Sequence, residues 1–204
     1  VTAALDRLRT ATQAEHRLLE SELDLFRQPF GLTDYRELLS FFYSFHRPFE
    51  NYLDAHPIDC AVADFYTVER RKAWRAHSDL LWLGVSPQIL ASLPLWPIPQ
   101  LWVLQPAQVW GALYVFEGSA LGAQVIAKHL KKSVPGLQGA GMQFFCGHGD
   151  RTPVLWRQFV GCFEELALSP AELEQAVVGA CGVFASLRAW HGSPQRCAAP
   201  RAPR

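Results

Sequence analysis

The apolar positions of this chain recur mostly three and four residues apart, the spacing of one face of an α-helix. In residues 3–27 the inward stripe runs through Leu5, Leu8, Thr12, Leu19 and Leu23. Residues 33–55 continue the pattern, with Thr33 at the N-cap position and aromatic residues crowded from Phe41 to Phe49. A more charged helix is predicted over 60–82. Ser86-Pro87, Thr152-Pro153 and Ser169-Pro170 each join a capping hydroxyl to proline at the first helical position, so helices are predicted to open near 87, 153 and 170. Ser169 is followed three residues on by Glu172, which makes a capping box. A long helix is predicted to open at Pro106 and to stop after Lys132, where Ser133, Pro135 and Gly136 follow. Strand-type alternation is scarce and hairpin turns are absent. The pattern predicts an all-α fold of about seven or eight helices packed as one bundle. The predicted domain spans 1–190, and the Pro/Arg-rich stretch 191–204 is predicted to be a disordered tail.

One apolar run could be confused with a membrane span. Leu80 to Phe116 carries no charged residue, but Pro87, Pro94, Pro97, Pro99 and Pro106 interrupt it. A span needs about 20 continuous apolar helical residues, so the run is predicted to be a buried connection leading into a buried helix, with no membrane span. The rest of the composition narrows the class. The chain has 204 residues, half of them apolar, which suits one sizeable core and argues against disorder. Lys+Arg and Asp+Glu both number 19, so no basic surplus points to nucleic acid. Cys60, Cys146, Cys162, Cys181 and Cys197 are scattered, odd in number and free of any CxxC. They are predicted to be reduced thiols of a cytoplasmic protein. The start, VTAALDRLRTATQAEH, is charged too early for the apolar region of a signal peptide.

Two groups of residues could carry chemistry. Arg9, Thr12, His16 and Glu20 are spaced three, four and four apart and share a helix face. A histidine there can ligate a metal through one ring nitrogen while Glu20 accepts from the other, directly or through water. Arg9, two turns earlier, could pair with a carboxylate on the metal's carrier. The same pattern also suits a solvated helix face.

The second group lies in YVFEGSALGAQ, residues 114–124. Gly111, Tyr114, Gly118 and Gly122 form one stripe of a helix, and Ser119 and Ala123 form a small-residue row beside it. The three glycines cost about 3 kcal/mol of helix propensity. Such a stripe permits either close packing of another helix or the approach of a flat ligand. Its only polar side chain placed for chemistry is Ser119, which suits a ligand that brings its own reactive atom. His129 shares this helix but lies roughly 16 Å along the axis from Gly118, too far to act with it. His46, within an aromatic run, reads as a hydrogen-bonded interfacial histidine in preference to a ligand.

Together the two groups resemble the bacterial haem oxygenases, particularly the bacteriophytochrome-associated type. LRTATQAEHRLLE resembles that family's proximal helix, and GALYVFEGSALGAQVIAKHL its distal helix, whose pattern is close to YVxEGSxLGGQ. RRKAWRAHSDLLWLG, FFCGHG and LWRQFVGCFEEL follow in the family's order. The resemblance covers about residues 5–190.

The resemblance implies a helical domain with haem b between an N-terminal proximal helix and the glycine-rich distal helix. His16 is then the axial iron ligand and Glu20 its hydrogen-bond partner. Arg9 and Arg157 match positions that contact the haem propionates, and Thr12 and Tyr114 fall on the cofactor-facing stripes. Gly118 and Gly122 match the glycines over the haem, with Ser119 between them. The implied catalytic positions are His16, Gly118, Ser119 and Gly122. Ala123 replaces the second glycine of the family's pair, and His148 stands where a tyrosine is expected. The implied activity is O₂- and electron-dependent cleavage of haem, both cofactor and substrate, to biliverdin, CO and iron. Electrons would come from outside, from a ferredoxin or reductase, because neither GxGxxG nor GxxxxGK[ST] occurs. A bacteriophytochrome or another biliverdin acceptor would take the product. A haem carrier or sensor without turnover shares most of these residues and stays open. A di-iron bundle is disfavoured because no Glu-x-x-His pair occurs.

Overall fold

Two helices that touch backbone to backbone form the centre of the computed structural model, which describes residues 3–56, 60–98, 105–137 and 139–197. They are the sixth and ninth of ten α-helices among the described residues. In chain order these are α1 (Ala3–Leu23), α2 (Leu32–Ala55), α3 (Cys60–Phe65), α4 (Ala73–Trp82), α5 (Pro87–Ser92), α6 (Pro106–Ser133), α7 (Gln143–Cys146), α8 (Thr152–Glu165), α9 (Pro170–His191) and α10 (Pro194–Cys197). No strand occurs among the described residues.

α6 crosses α9 at Gly111 and Gly179. A Cβ on Gly111 would lie 1.8 Å from the Ala176 carbonyl oxygen, and one on Gly179 would lie 2.0 Å from that of Gln108. α1 packs along the same α9, through Arg7 with Glu174 at 2.8 Å and Arg188 with Glu15 and Glu22. On another side α2 packs on α4, and α4 on α7.

The core has two lobes. One gathers Leu8, Phe45, Phe49, Trp110, Phe116 and Phe159, while the other gathers Tyr35, Leu39, Leu80, Leu130, Met142 and Phe145. α6 contributes to both. Its most apolar stretch is long and apolar enough to cross a membrane, but half of that stretch is buried inside the fold.

Several helix boundaries differ from the sequence expectation. α1 stops at Leu23, not 27, because Asp24 turns left-handed at φ 40° and ends the helix. α2 begins at Leu32, so Thr33 is not its N-cap; the Asp34 carboxylate reaches back and accepts from Gly31 N at 2.7 Å. The helix expected over 60–82 is two helices, α3 and α4. Glu50 creates the second start by accepting from Lys72 N at 2.7 Å and Ala73 N at 3.0 Å.

Ser86 and Ser169 cap α5 and α9 as expected. Thr152, in contrast, lies inside α8, and its buried hydroxyl has no hydrogen-bond partner. The tail expected from residue 191 is ordered as far as Cys197: α10 forms there, and the Arg196 side chain donates to His191 O at 2.9 Å. Residues 198–204 lie outside the described residues, as does 99–104 of the apolar connection.

Candidate functional site

α1 and α6 adjoin where Thr12 lies near Tyr114, whose pKa burial raises and Thr12 partly restrains. Thr12 is buried, and its own proton goes to Leu8 O at 2.8 Å. Tyr114 is half-buried against Trp156 and Phe159. One turn further along each helix stand His16 and Gly118.

Each helix has a less covered stretch there. The buried residues of α1 skip from Thr12 to Leu19, and those of α6 skip from Glu117 to Ala127. Apolar side chains stand in these gaps, with Leu18 45% exposed, Leu121 41% and Val125 59%. Leu121 and Val125 flank the two open glycines of α6, so this stretch offers a surface suited to an apolar ligand.

His16 has a side chain 55% exposed. Its ring meets the edge of Phe184 on α9 at 5.4 Å between centroids. Nε2 lies 3.8 Å from Glu20 Oε1, too long for a direct hydrogen bond but within reach of an intervening water. Arg9 is exposed and pairs with Asp6 at 2.9 Å. Arg157 is exposed on α8.

The glycine stripe divides into two parts with different uses. Gly111 is buried in the α9 crossing and belongs to helix packing, not to an open groove. A methyl group on Gly118 would face only the Trp156 ring at 3.5 Å, and one on Gly122 would meet nothing within 4 Å. Ala123 is partly buried against the second lobe. The structure therefore brings Thr12 and Tyr114 near one another. It exposes His16, Ser119 and Gly122, leaves Gly118 partly covered by Trp156, and removes Gly111 from the site.

Behind Ser119 lies a polar cluster that the sequence did not reveal. Ser119 Oγ donates to Phe116 O at 2.7 Å, and the buried Lys72 Nζ donates to Ser119 Oγ at 2.9 Å and also to Phe116 O. Next to it Glu117 pairs with Arg70 at 2.6 Å, and Arg70 also holds Gln158 Oε1 at 3.0 Å. Burial pushes Glu117 and Glu50 above the usual carboxylate range, against the pull of nearby Lys72 and arginines. Burial lowers Lys72 to about 8. A basic residue at helical spacing in RRKAWR reads as solvated, and only Lys72's place at the start of α4 turns it inward.

The other histidines have structural surroundings. His46 is buried among Phe42, Phe45, Phe116 and Phe144, and burial holds its pKa well below the ordinary value. Its Nδ1 has no partner, so it is a core histidine but not a hydrogen-bonded one at that atom. His129 packs against Phe26 and Phe30. His148 Nδ1 lies 3.2 Å from an Arg75 nitrogen, and burial followed by Arg75's charge lowers its pKa to about 4.

The fold and this site define an all-α protein with an exposed histidine and a bare glycine-containing helix surface on neighbouring helices. Residues 2–192 match the family described as Heme oxygenase, and the chain belongs to that family. A protein of Xanthomonas campestris named "Heme oxygenase" is 43% identical over 76 residues, 37% of this chain and 45% of its own length. The match thus spans less than half of that curated relative. Among solved structures, the heme oxygenase of Leptospira interrogans superposes with a TM-score of 0.78 at 17% identity, covering 93% of this chain and 98% of that one. The heme oxygenase-1 of the cyanobacterium Synechocystis, solved in complex with heme, gives 0.71 at 18% identity, covering 93% and 91%. At such identities these two establish a shared fold.

Proposed function

We propose that this protein is a haem oxygenase of the bacteriophytochrome-associated type. It would bind haem b against α1 and α6 and cleave it with O₂ and externally supplied electrons to biliverdin, CO and iron. The observation that carries this reading is the pair of stretches without fully buried residues, 13–18 of α1 and 118–126 of α6, the first holding an exposed His16 and the second an open Gly122.

The residues present fit the group. His16 is exposed enough to ligate iron, and Glu20 is close enough to orient its ring through water. Gly118 and Gly122 leave a surface without protruding side chains, as a planar macrocycle requires. Arg9 and Arg157 are exposed guanidiniums suited to the haem propionates. When bound, haem supplies the oxygen chemistry and is itself the molecule consumed. The chain's own part is to hold and orient it. The aliphatic side chains Leu121 and Val125 would exclude water from its face on α6, and Ser119 offers the one hydroxyl on that stretch. Electrons come from a ferredoxin or reductase in this reading, and biliverdin passes to a bacteriophytochrome or another biliverdin acceptor.

Haemin added to the purified protein tests the reading. A Soret band should appear, and ascorbate under air should replace it with biliverdin absorption. A protein that gives no Soret band does not bind haem. A band that persists under ascorbate and air identifies a carrier or sensor instead. His16→Ala should change the ligand signature of the spectrum, and an unchanged spectrum would remove His16 as the ligand.

A further inference from the structure

Lys72 is fixed before its side chain begins. Its backbone N–H donates to Glu50, and its backbone oxygen accepts from Arg75 N at 3.1 Å and Ala76 N at 3.2 Å at the start of α4. From there the side chain runs inward, 6% exposed, and ends on α6 between the Phe116 carbonyl and Ser119.

The three groups share protons in an unusual way. A serine hydroxyl has one proton, and a helical serine commonly gives it to a carbonyl one turn back, as Ser119 does to Phe116 O. That alone would leave Ser119 facing the uncovered surface only as an acceptor. Lys72 donates to the same carbonyl, so Phe116 O keeps a partner if the hydroxyl rotates away. Lys72 also donates to Ser119 Oγ, so the serine oxygen keeps this partner whichever acceptor its own proton takes. The charge behind this arrangement is offset by Glu117 and Glu50 and opposed by Arg75.

We propose that Lys72 is a positioning residue for the distal surface, holding Ser119 so that its hydroxyl can donate to a ligand over Gly118 and Gly122. This rests on the haem reading for the identity of that ligand. Lys72 itself does not touch the uncovered face; it acts through Ser119.

The test has one arm without haem and one with it. In the haem-free protein, lysine-selective ¹H–¹⁵N NMR should show a protected ammonium signal at neutral pH. It should vanish in Lys72→Met and move in Ser119→Ala. A missing signal, or one indifferent to Ser119→Ala, overturns the proposal. In the ferric haem complex, the midpoint of the acid–alkaline spectral transition should rise in Lys72→Met and in Ser119→Ala. The double variant should rise no further than Ser119→Ala alone. Ser119 is exposed, so its variant keeps the test usable should Lys72→Met fail to fold. Haem uptake with a midpoint indifferent to both substitutions overturns the Lys72 proposal and leaves the haem reading standing. No haem uptake by the wild type overturns the haem reading, and the proposal falls with it.

Discussion

Gly111 and Ala176 approach so closely that no side chain fits between them: a Cβ on Gly111 would lie 1.8 Å from the Ala176 carbonyl oxygen. Gly179 repeats the relationship in the opposite direction against Gln108. The central pair of helices is thus locked by one glycine from each side. A Cβ on Gly122, eleven residues along the same helix, would meet nothing within 4 Å. The two positions should respond oppositely to alanine. Gly111→Ala must force α6 and α9 apart and should cost about 3 kcal/mol or more. Gly122→Ala meets no obstacle and should gain up to about 1 kcal/mol from helix propensity. Urea denaturation of both variants decides the matter; equal and large losses would show that Gly122 is also a packing residue.

His16 should behave as a ligand position and not as a core residue. Its contacts are the edge of Phe184 and a Glu20 oxygen 3.8 Å away, and its side chain is more than half exposed. His16→Ala should therefore leave unfolding stability within about 0.5 kcal/mol of the wild type. Haem affinity, measured by Soret titration, should fall in the same protein. A stability loss of several kcal/mol would make His16 a packing residue and leave the iron ligand to be sought elsewhere.

These contrasts mark how far the sequence could be read. The helical periodicity and the Ser-Pro caps at 86 and 169 were legible because they depend on neighbours within one turn. The YVFEGSALGAQ stripe was legible as a stripe but not as two functions. Only the position of α9 separates buried Gly111 from open Gly122. The break between α3 and α4 was hidden for a similar reason. The carboxylate that starts α4 belongs to Glu50, 22 residues before Lys72. Lys72 and Glu117 were missed as inward groups because charges at helical spacing normally face water, and their burial is decided by partners on other helices.

The pairing of Arg70 with Glu117 sets up a third expectation. The ions lie 2.6 Å apart with side chains only 7% and 6% exposed, and the guanidinium also sits 3.9 Å from the centre of the Phe65 ring. Removing one partner leaves a buried charge uncompensated, which typically costs about 3–5 kcal/mol. Glu117→Ala and Arg70→Ala should each fall in that range by chemical denaturation. Arg70→Met combined with Glu117→Leu should cost less than the two single changes added together, because neither ion of the pair is left without its partner. A double variant as damaged as the sum of the singles would show that the two side chains are not coupled and would overturn this expectation.

The buried ammonium of Lys72 predicts a specific pH dependence of stability. Its pKa in the folded protein is about 8, lowered by burial from the ordinary 10.5. Between those values the unfolded chain holds a proton that the folded chain has released. Stability contributed by this group therefore rises with pH across that window, by about 1.4 kcal/mol per pH unit at most. Below about 8 the cost of burying the charge is present in full, and above 10.5 it is gone. Glu117 and Glu50 favour the charged form and Arg75 opposes it, but burial outweighs them. Lys72→Met lacks this titration. The stability of Lys72→Met minus that of the wild type should accordingly fall between pH 8 and 10.5, by an amount on the order of 2–3 kcal/mol. Tyrosines and cysteines titrate in both proteins and cancel in the difference. Denaturation curves at about pH 7.5, 9 and 10 measure it; a constant difference would mean that Lys72 keeps its ordinary pKa in the fold.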